Sequence, residues 1–211
     1  MAVCRGILVV VAVCLLGGCA VDGGWVDPDA GLSPQADPAA VARTSEIEAA
    51  GPGTQAVMVA FYQSVCALQT RYRAELQAAE GGAGQLTAVQ YRDAAVAMLS
   101  ARATAAETAR RSAAELPIPD LFPDEWRSAQ AELTLLFDGL DLADRSRATE
   151  MAAVDPADAD HLKTTARNLI AASAQQIENE NPRIRVVADR LPAPKQVRRQ
   201  AAELDECRTP S

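Results

Sequence analysis

The residues with chemical potential are few. The single histidine, His161, ends the acidic run Asp155-Pro156-Ala157-Asp158-Ala159-Asp160-His161. Asp158 and His161 stand three apart, so one helical turn brings both toward a single metal ion. The carboxylates also have a simpler use as first-turn charges at a helix N-terminus, which leaves His161 solvated and the run without metal. It is not a calcium loop, because the glycine and closing glutamate are missing at loop spacing. Asp138, Asp141 and Asp144 step by three, with Arg145 and Arg147 following. Asp141 and Arg145 form an i,i+4 ion pair, and the group reads as a solvated helix face. The Glu-x-x-His pairs of a di-iron bundle are missing, as are Cys-x-x-Cys-His for haem and Gly-x-Ser-x-Gly. Gly81 to Gly84 lacks the Gly-Lys-Ser/Thr of a phosphate loop. The sequence thus gives no catalytic residue, no metal set and no cofactor motif, and predicts a non-enzymatic protein.

The elements that would position any site begin with an address. Arg5 supplies a short positive region, and Ile7 to Leu16 is an unbroken apolar run ending in Leu16-Gly17-Gly18-Cys19. Charge, short apolar core and small residues in that order make a secretory signal. The run is too short to cross a bilayer as a mature helix, which needs about 20 residues. Leu16-Gly17-Gly18-Cys19 resembles the lipobox of bacterial lipoproteins: an aliphatic residue, two small ones, then the acylated cysteine. The resemblance covers only the signal. It implies that Leu16, Gly17 and Gly18 form the cleavage motif and that Cys19 becomes the diacylglyceryl-modified N-terminus. The expected location is therefore the cell membrane, lipid-anchored on its extracytoplasmic face. The expected partners are the membrane, through Cys19, and an envelope protein.

The other cysteines follow from that address. Cys4 and Cys14 would leave with the signal, so Cys66 and Cys207 remain as an even pair in an oxidising compartment. Bridged, they close a loop of about 140 residues, which the chain-entropy account values at roughly 5 kcal/mol. A buried free thiol at Cys66, or pairing between molecules, remains open. The formal charge is −8, and loss of Arg5 makes the mature chain more acidic. Such a chain has no general field for nucleic acid. Lysine occurs only at Lys163 and Lys195, a bias toward arginine typical of a high-GC genome such as an actinobacterium's.

The chain then divides into the signal, 1–18; a lipidated, flexible acidic tether, 19–53; a helical bundle, 54–181; and a basic C-terminal helical tail, 182–211. In the tether, Gly, Pro, Asp and Ala dominate, and this composition cannot bury enough surface to fold alone. A short helix over Pro38 to Ala50 is compatible with it. Trp25 reads either as an interfacial anchor or as an exposed linker residue. Met58, Phe61, Val65, Leu68, Tyr72 and Leu76 make a helical stripe over Thr54 to Glu80. Thr87 and Gln90 form a capping-box pattern opening a second helix to about Leu116. Its later half is nearly all Ala inside, with Arg102, Glu107, Arg110 and Arg111 outside. Apolar Ile118, Leu121 and Phe122, among three prolines, are expected to cap the bundle's end.

Asp124 opens a third helix, with Trp126, Leu133, Leu136, Phe137 and Leu140 inside and Gly139 a weak point. Asp155 and Pro156 are expected as cap and first residue of a fourth. Its inner face is Leu162, Ala166, Leu169, Ile170, Ser173 and Ile177, and it should stop before Pro182. The tail carries seven Lys or Arg residues against four acids. The expected fold is all-α: an antiparallel four-helix bundle of long amphipathic helices with a short C-terminal helical segment. A two-hairpin coiled-coil dimer is the alternative. For function the expectation is a non-enzymatic interaction or scaffold module of the envelope. The alternative is a binding module for a small apolar or amphiphilic ligand between helices.

Overall fold

Six helices follow one another in the computed structural model, which describes residues 38–79 and 86–203. They are α1 (Pro38–Glu48), α2 (Pro52–Ala79), α3 (Ala88–Ala114), α4 (Pro123–Ala152), α5 (Ala159–Asp189) and α6 (Lys195–Glu203). The fold is all-α, with no strand among the described residues. The signal, Cys19, Trp25, Gly81 to Gly84 and Cys207 lie outside the described residues.

Local chemistry explains where the helices begin. Thr87 Oγ1 accepts the Gln90 N–H at 3.3 Å while Gln90 Oε1 accepts the Thr87 N–H at 3.0 Å. This is the capping box that the sequence predicts. At α4 the helix starts one residue before Asp124, on Pro123, whose fixed φ suits the first helical position. The residue before it, Phe122, is left-handed, with φ 52°. Ile118 and Leu121 pack against the core beneath, so the proline-rich connection does close this end of the molecule. Asp155 is not the cap of α5. Its carboxylate is occupied by the N–H of Ala157 at 2.9 Å, a local turn, and Asp158 instead accepts the N–H of His161 at 3.0 Å.

Two expected boundaries shift, the second because of packing. Within the expected tether, residues 38–48 form α1, the short helix that the sequence allows over Pro38 to Ala50. The bundle does not end at 181 either, since α5 runs through Pro182 to Asp189. Proline removes one backbone bond and disfavours helix in the residue before it. Pro182 and Glu178 are exposed, so the freed carbonyl can meet water. Ile184 and Val187 beyond it are each only 1% exposed, and burial of two such side chains is worth several kcal/mol. The stripe overrides the proline.

The basic tail is likewise part of the core. Leu191, Pro192, Ala193 and Pro194 are all buried, and α6 packs on α2 through Val197 and Ala201. Arg198 donates to the carbonyls of Leu191 (2.8 Å), Asp189 (3.2 Å) and Ala193 (3.2 Å). One guanidinium thus closes the carbonyl end of α5, where a positive charge is favoured.

The most extensive helix pair is α3 with α4. Ala105, Ala106, Ala109 and Ala113 make the α3 face that the sequence marks as alanine-rich, and all four are buried. Phe61 and Tyr62 of α2 meet Trp126, and Tyr72 meets Phe137, so α2 runs parallel to α4. Arg190 of α5 reaches Glu132, and Leu162 joins Met151, so α5 runs opposite to α4. One core cluster takes side chains from all four long helices and from Val197 of α6. The other is built from α3, α4 and α5 only, around Leu99, Met151 and Leu162.

Gly139 faces open space: a Cβ there would meet nothing within 4 Å. Gly139→Ala should therefore stabilise the protein by about 0.5–1 kcal/mol, read as a raised midpoint in urea or thermal unfolding. A loss of stability would mean that this helix face is not open.

Candidate functional site

The two core clusters are separated by charge. Arg102 of α3, Asp144 of α4 and Ser173 of α5 are 3%, 1% and 0% exposed. Arg102 Nη1 donates to Ser173 Oγ at 3.0 Å and lies 3.4 Å from the Ile170 carbonyl. Ser173 Oγ in turn donates to Asp144 Oδ2 at 3.1 Å. Arg147 Nη1 holds the other carboxylate oxygen at 2.7 Å, and its Nη2 donates to Gln176 Oε1 at 2.7 Å. Three helices are thereby joined by a chain of charge-assisted hydrogen bonds. One turn earlier on α4, a second group has Arg145 donating to Asp141 (2.6 Å) and to Glu107 of α3 (2.7 Å). The Asp141 hydrogen bond and charge, with Glu107 adding to them, push the Arg145 guanidinium pKa further up.

This corrects two expectations. Asp141 and Asp144 are not a solvated face, and Arg102 is not outside the bundle. Step-of-three carboxylates on a helix look alike whether they face water or a neighbour. The signal that could have found them is Ser173 on an otherwise apolar stripe, a polar atom that needs a partner when buried. The Asp141–Arg145 pair is present as the spacing predicts.

Tyr72 borders the layer from α2. Burial first, then the Asp144 carboxylate, drive its phenol pKa up, and Arg102 opposes them. Its hydroxyl is buried and has no hydrogen-bond partner among the described residues. Tyr62, nearer the end of the bundle, donates to the Ala188 carbonyl at 3.2 Å. Burial pushes its pKa up to about 12, with Arg198 lowering and Asp189 raising it.

The other candidate residues stand apart from this layer. His161 is exposed on the first turn of α5, and Asp158 is committed to the backbone there. Among the described residues no three His, Cys, Asp or Glu side chains group as metal ligands. Cys66 is half-buried on α2, and every other cysteine lies outside the described residues. An open cleft of about 300 Å³ lies between the starts of α3 and α5, lined by Leu86, Ala88, Tyr91, Ala159, Leu162 and Lys163. No helix among the described residues is long and apolar enough to cross a membrane. No family model, curated protein or solved structure matches the chain.

The layer's chemistry is positional. With Ser173 and Asp144 this deeply buried, what it does is fix how α3, α4 and α5 slide past one another, because any slip leaves buried charge unpaired. Asp144→Ala should cost about 3–5 kcal/mol in urea unfolding, since it takes the carboxylate away from the Arg147 guanidinium and the buried Ser173 hydroxyl. Tyr72→Phe should be neutral or stabilise by up to about 1 kcal/mol, as no hydrogen bond is lost. Equal costs for the two would contradict this arrangement.

Tyr62 makes stability depend on alkaline pH. The unfolded phenol ionises near pH 10 and the folded one near about 12, so the unfolded state loses its proton first. The Tyr62 contribution is complete below pH 10 and is lost as pH rises through about 12. Unfolding midpoints should fall across that window, and less steeply in Tyr62→Phe.

Proposed function

We propose that this chain is a lipid-anchored protein of the bacterial cell envelope, held on the extracytoplasmic face by Cys19 and working as a non-enzymatic interaction or scaffold module. The lipobox-like Leu16-Gly17-Gly18-Cys19 supports the anchor. The observation that carries the interaction reading is on α4. Leu135 and Leu142 are 70% and 60% exposed and lie two turns apart on its outward face. Gly139 stands between them with open space around it, so a partner side chain can approach the backbone there. Single exposed leucines are ordinary; two flanking an open glycine make a docking stripe.

Cys66 and Cys207 are proposed as a disulfide. In support, α6 packs on α2, the helix that carries Cys66, and ends four residues before Cys207. The bond would tie the end of the chain to the first long helix.

A second reading, a site for a small amphiphile, is favoured by the cleft at the start of α3. Leu86, Tyr91 and Leu162 give it apolar walls, and Lys163 supplies a positive charge.

Mass spectrometry of the membrane fraction should find a mature chain beginning at diacylglyceryl-modified Cys19. A chain in the cytosol with its leader intact would defeat the anchoring. A benzophenone side chain at position 142, activated in intact cells, should give one discrete adduct that exposed position 171 does not give and that Leu135→Glu abolishes. Identical labelling from both positions would defeat the docking stripe.

A further inference from the structure

We propose that α1 is a releasable strap, docked by the tips of its charged side chains and able to leave the bundle without unfolding it. No side chain from Ala39 to Glu48 is buried, and Ile47 alone is half-buried. α1 makes no extensive packing contact with another helix. It is held instead at two helix starts. Arg43 Nη2 donates to Glu125 Oε1 at 2.9 Å, in the first turn of α4. The same guanidinium lies 4.8 Å from the ring centre of Phe122, the left-handed residue that opens α4. Only Ala49, Ala50 and Gly51 separate α1 from α2, and just before them Glu48 Oε1 accepts the N–H of Lys195, the first residue of α6, at 3.2 Å.

These contacts are of a kind that lets go. Both partners of the Arg43–Glu125 pair are about half exposed, and ion pairs so placed are weak and screened by salt. An 11-residue segment is too short to stay helical alone in water, so undocking also melts it. α2 begins independently at Pro52, and the core residues Met58, Phe61 and Val65 lie beyond α1, so the bundle keeps its core.

Release changes length. In a helix each residue advances about 1.5 Å, and in an extended chain up to about 3.3–3.6 Å. Melting α1 therefore adds about 20 Å to the longest reach of the segment before the bundle. If the chain is anchored at Cys19, the strap gives the tether two lengths; that consequence rests on the anchoring proposed above, whereas the docking does not.

Hydrogen–deuterium exchange of the full chain, purified from its own cells, tests the docking whether or not a lipid is present. The amides of residues 40–48 should exchange at least a hundredfold faster than those of α3 and α4, yet slower than an unstructured peptide. Raising the salt from 0.05 to 0.5 M, or Arg43→Ala, should speed α1 a further three- to tenfold and leave α3 and α4 unchanged. Exchange of α1 as slow as that of α3, no protection in α1 at all, or indifference to both salt and Arg43→Ala would each overturn the proposal.

Discussion

Everything in this molecule depends on how closely α3 and α4 lie. The buried face of α3 is alanine at 103, 105, 106, 109 and 113, and alanine contributes little area of its own. What it contributes is proximity, since small side chains let two backbones approach until many weak dispersion contacts add up. The bulk is supplied from across the contact by Trp126, Leu133 and Phe137 of α4 and by Met58 and Phe61 of α2. Large meets small, which is how a core with few aromatics still fills its volume.

That proximity also makes the polar layer possible. A guanidinium on α3 can be linked through a serine on α5 to a carboxylate on α4 only if the three helices are held at one height. Apolar stripes tolerate sliding by a turn, because one leucine replaces another. Arg102, Asp144 and Ser173 do not, because displacement would strand charge out of water. The layer lies between the two apolar clusters, and it divides a section to which α2 contributes from one built by α3, α4 and α5. Its cost in desolvation is offset by hydrogen bonds on both carboxylate oxygens.

The ends of the bundle follow a different logic. There, single arginines finish helices: Arg198 collects three carbonyls at the close of α5, and Arg43 reaches the start of α4 from α1. The first draws its strength from partly buried carbonyls in a turn whose neighbours Leu191 to Pro194 are buried. The second works in solvent, where the same charge is screened. Position relative to water, more than residue type, separates a fixed closure from a detachable one.

Much of this was legible in the residues. The Thr87–Gln90 cap, the stripe of α2, the alanine face of α3 and the Asp141–Arg145 pair are contacts between residues three or four apart, and such spacing is itself a geometry. The proposed secretory signal and its lipobox-like end would be read by other molecules as linear sequence, so no fold is needed to recognise them. What the sequence could not settle were choices between local rules and distant partners. Pro182 signals a helix end, but Ile184 and Val187 are bound into the core and the helix goes on. Asp155 and Asp158 are equally good caps until the turn occupies one of them. Asp144 looks like a surface charge until α3 and α5 surround it. For Asp155 a turn two residues long decided it; for Pro182 and Asp144 the deciding energy came from burial against residues tens of positions away, and burial is a property of the assembled helices that no local pattern contains.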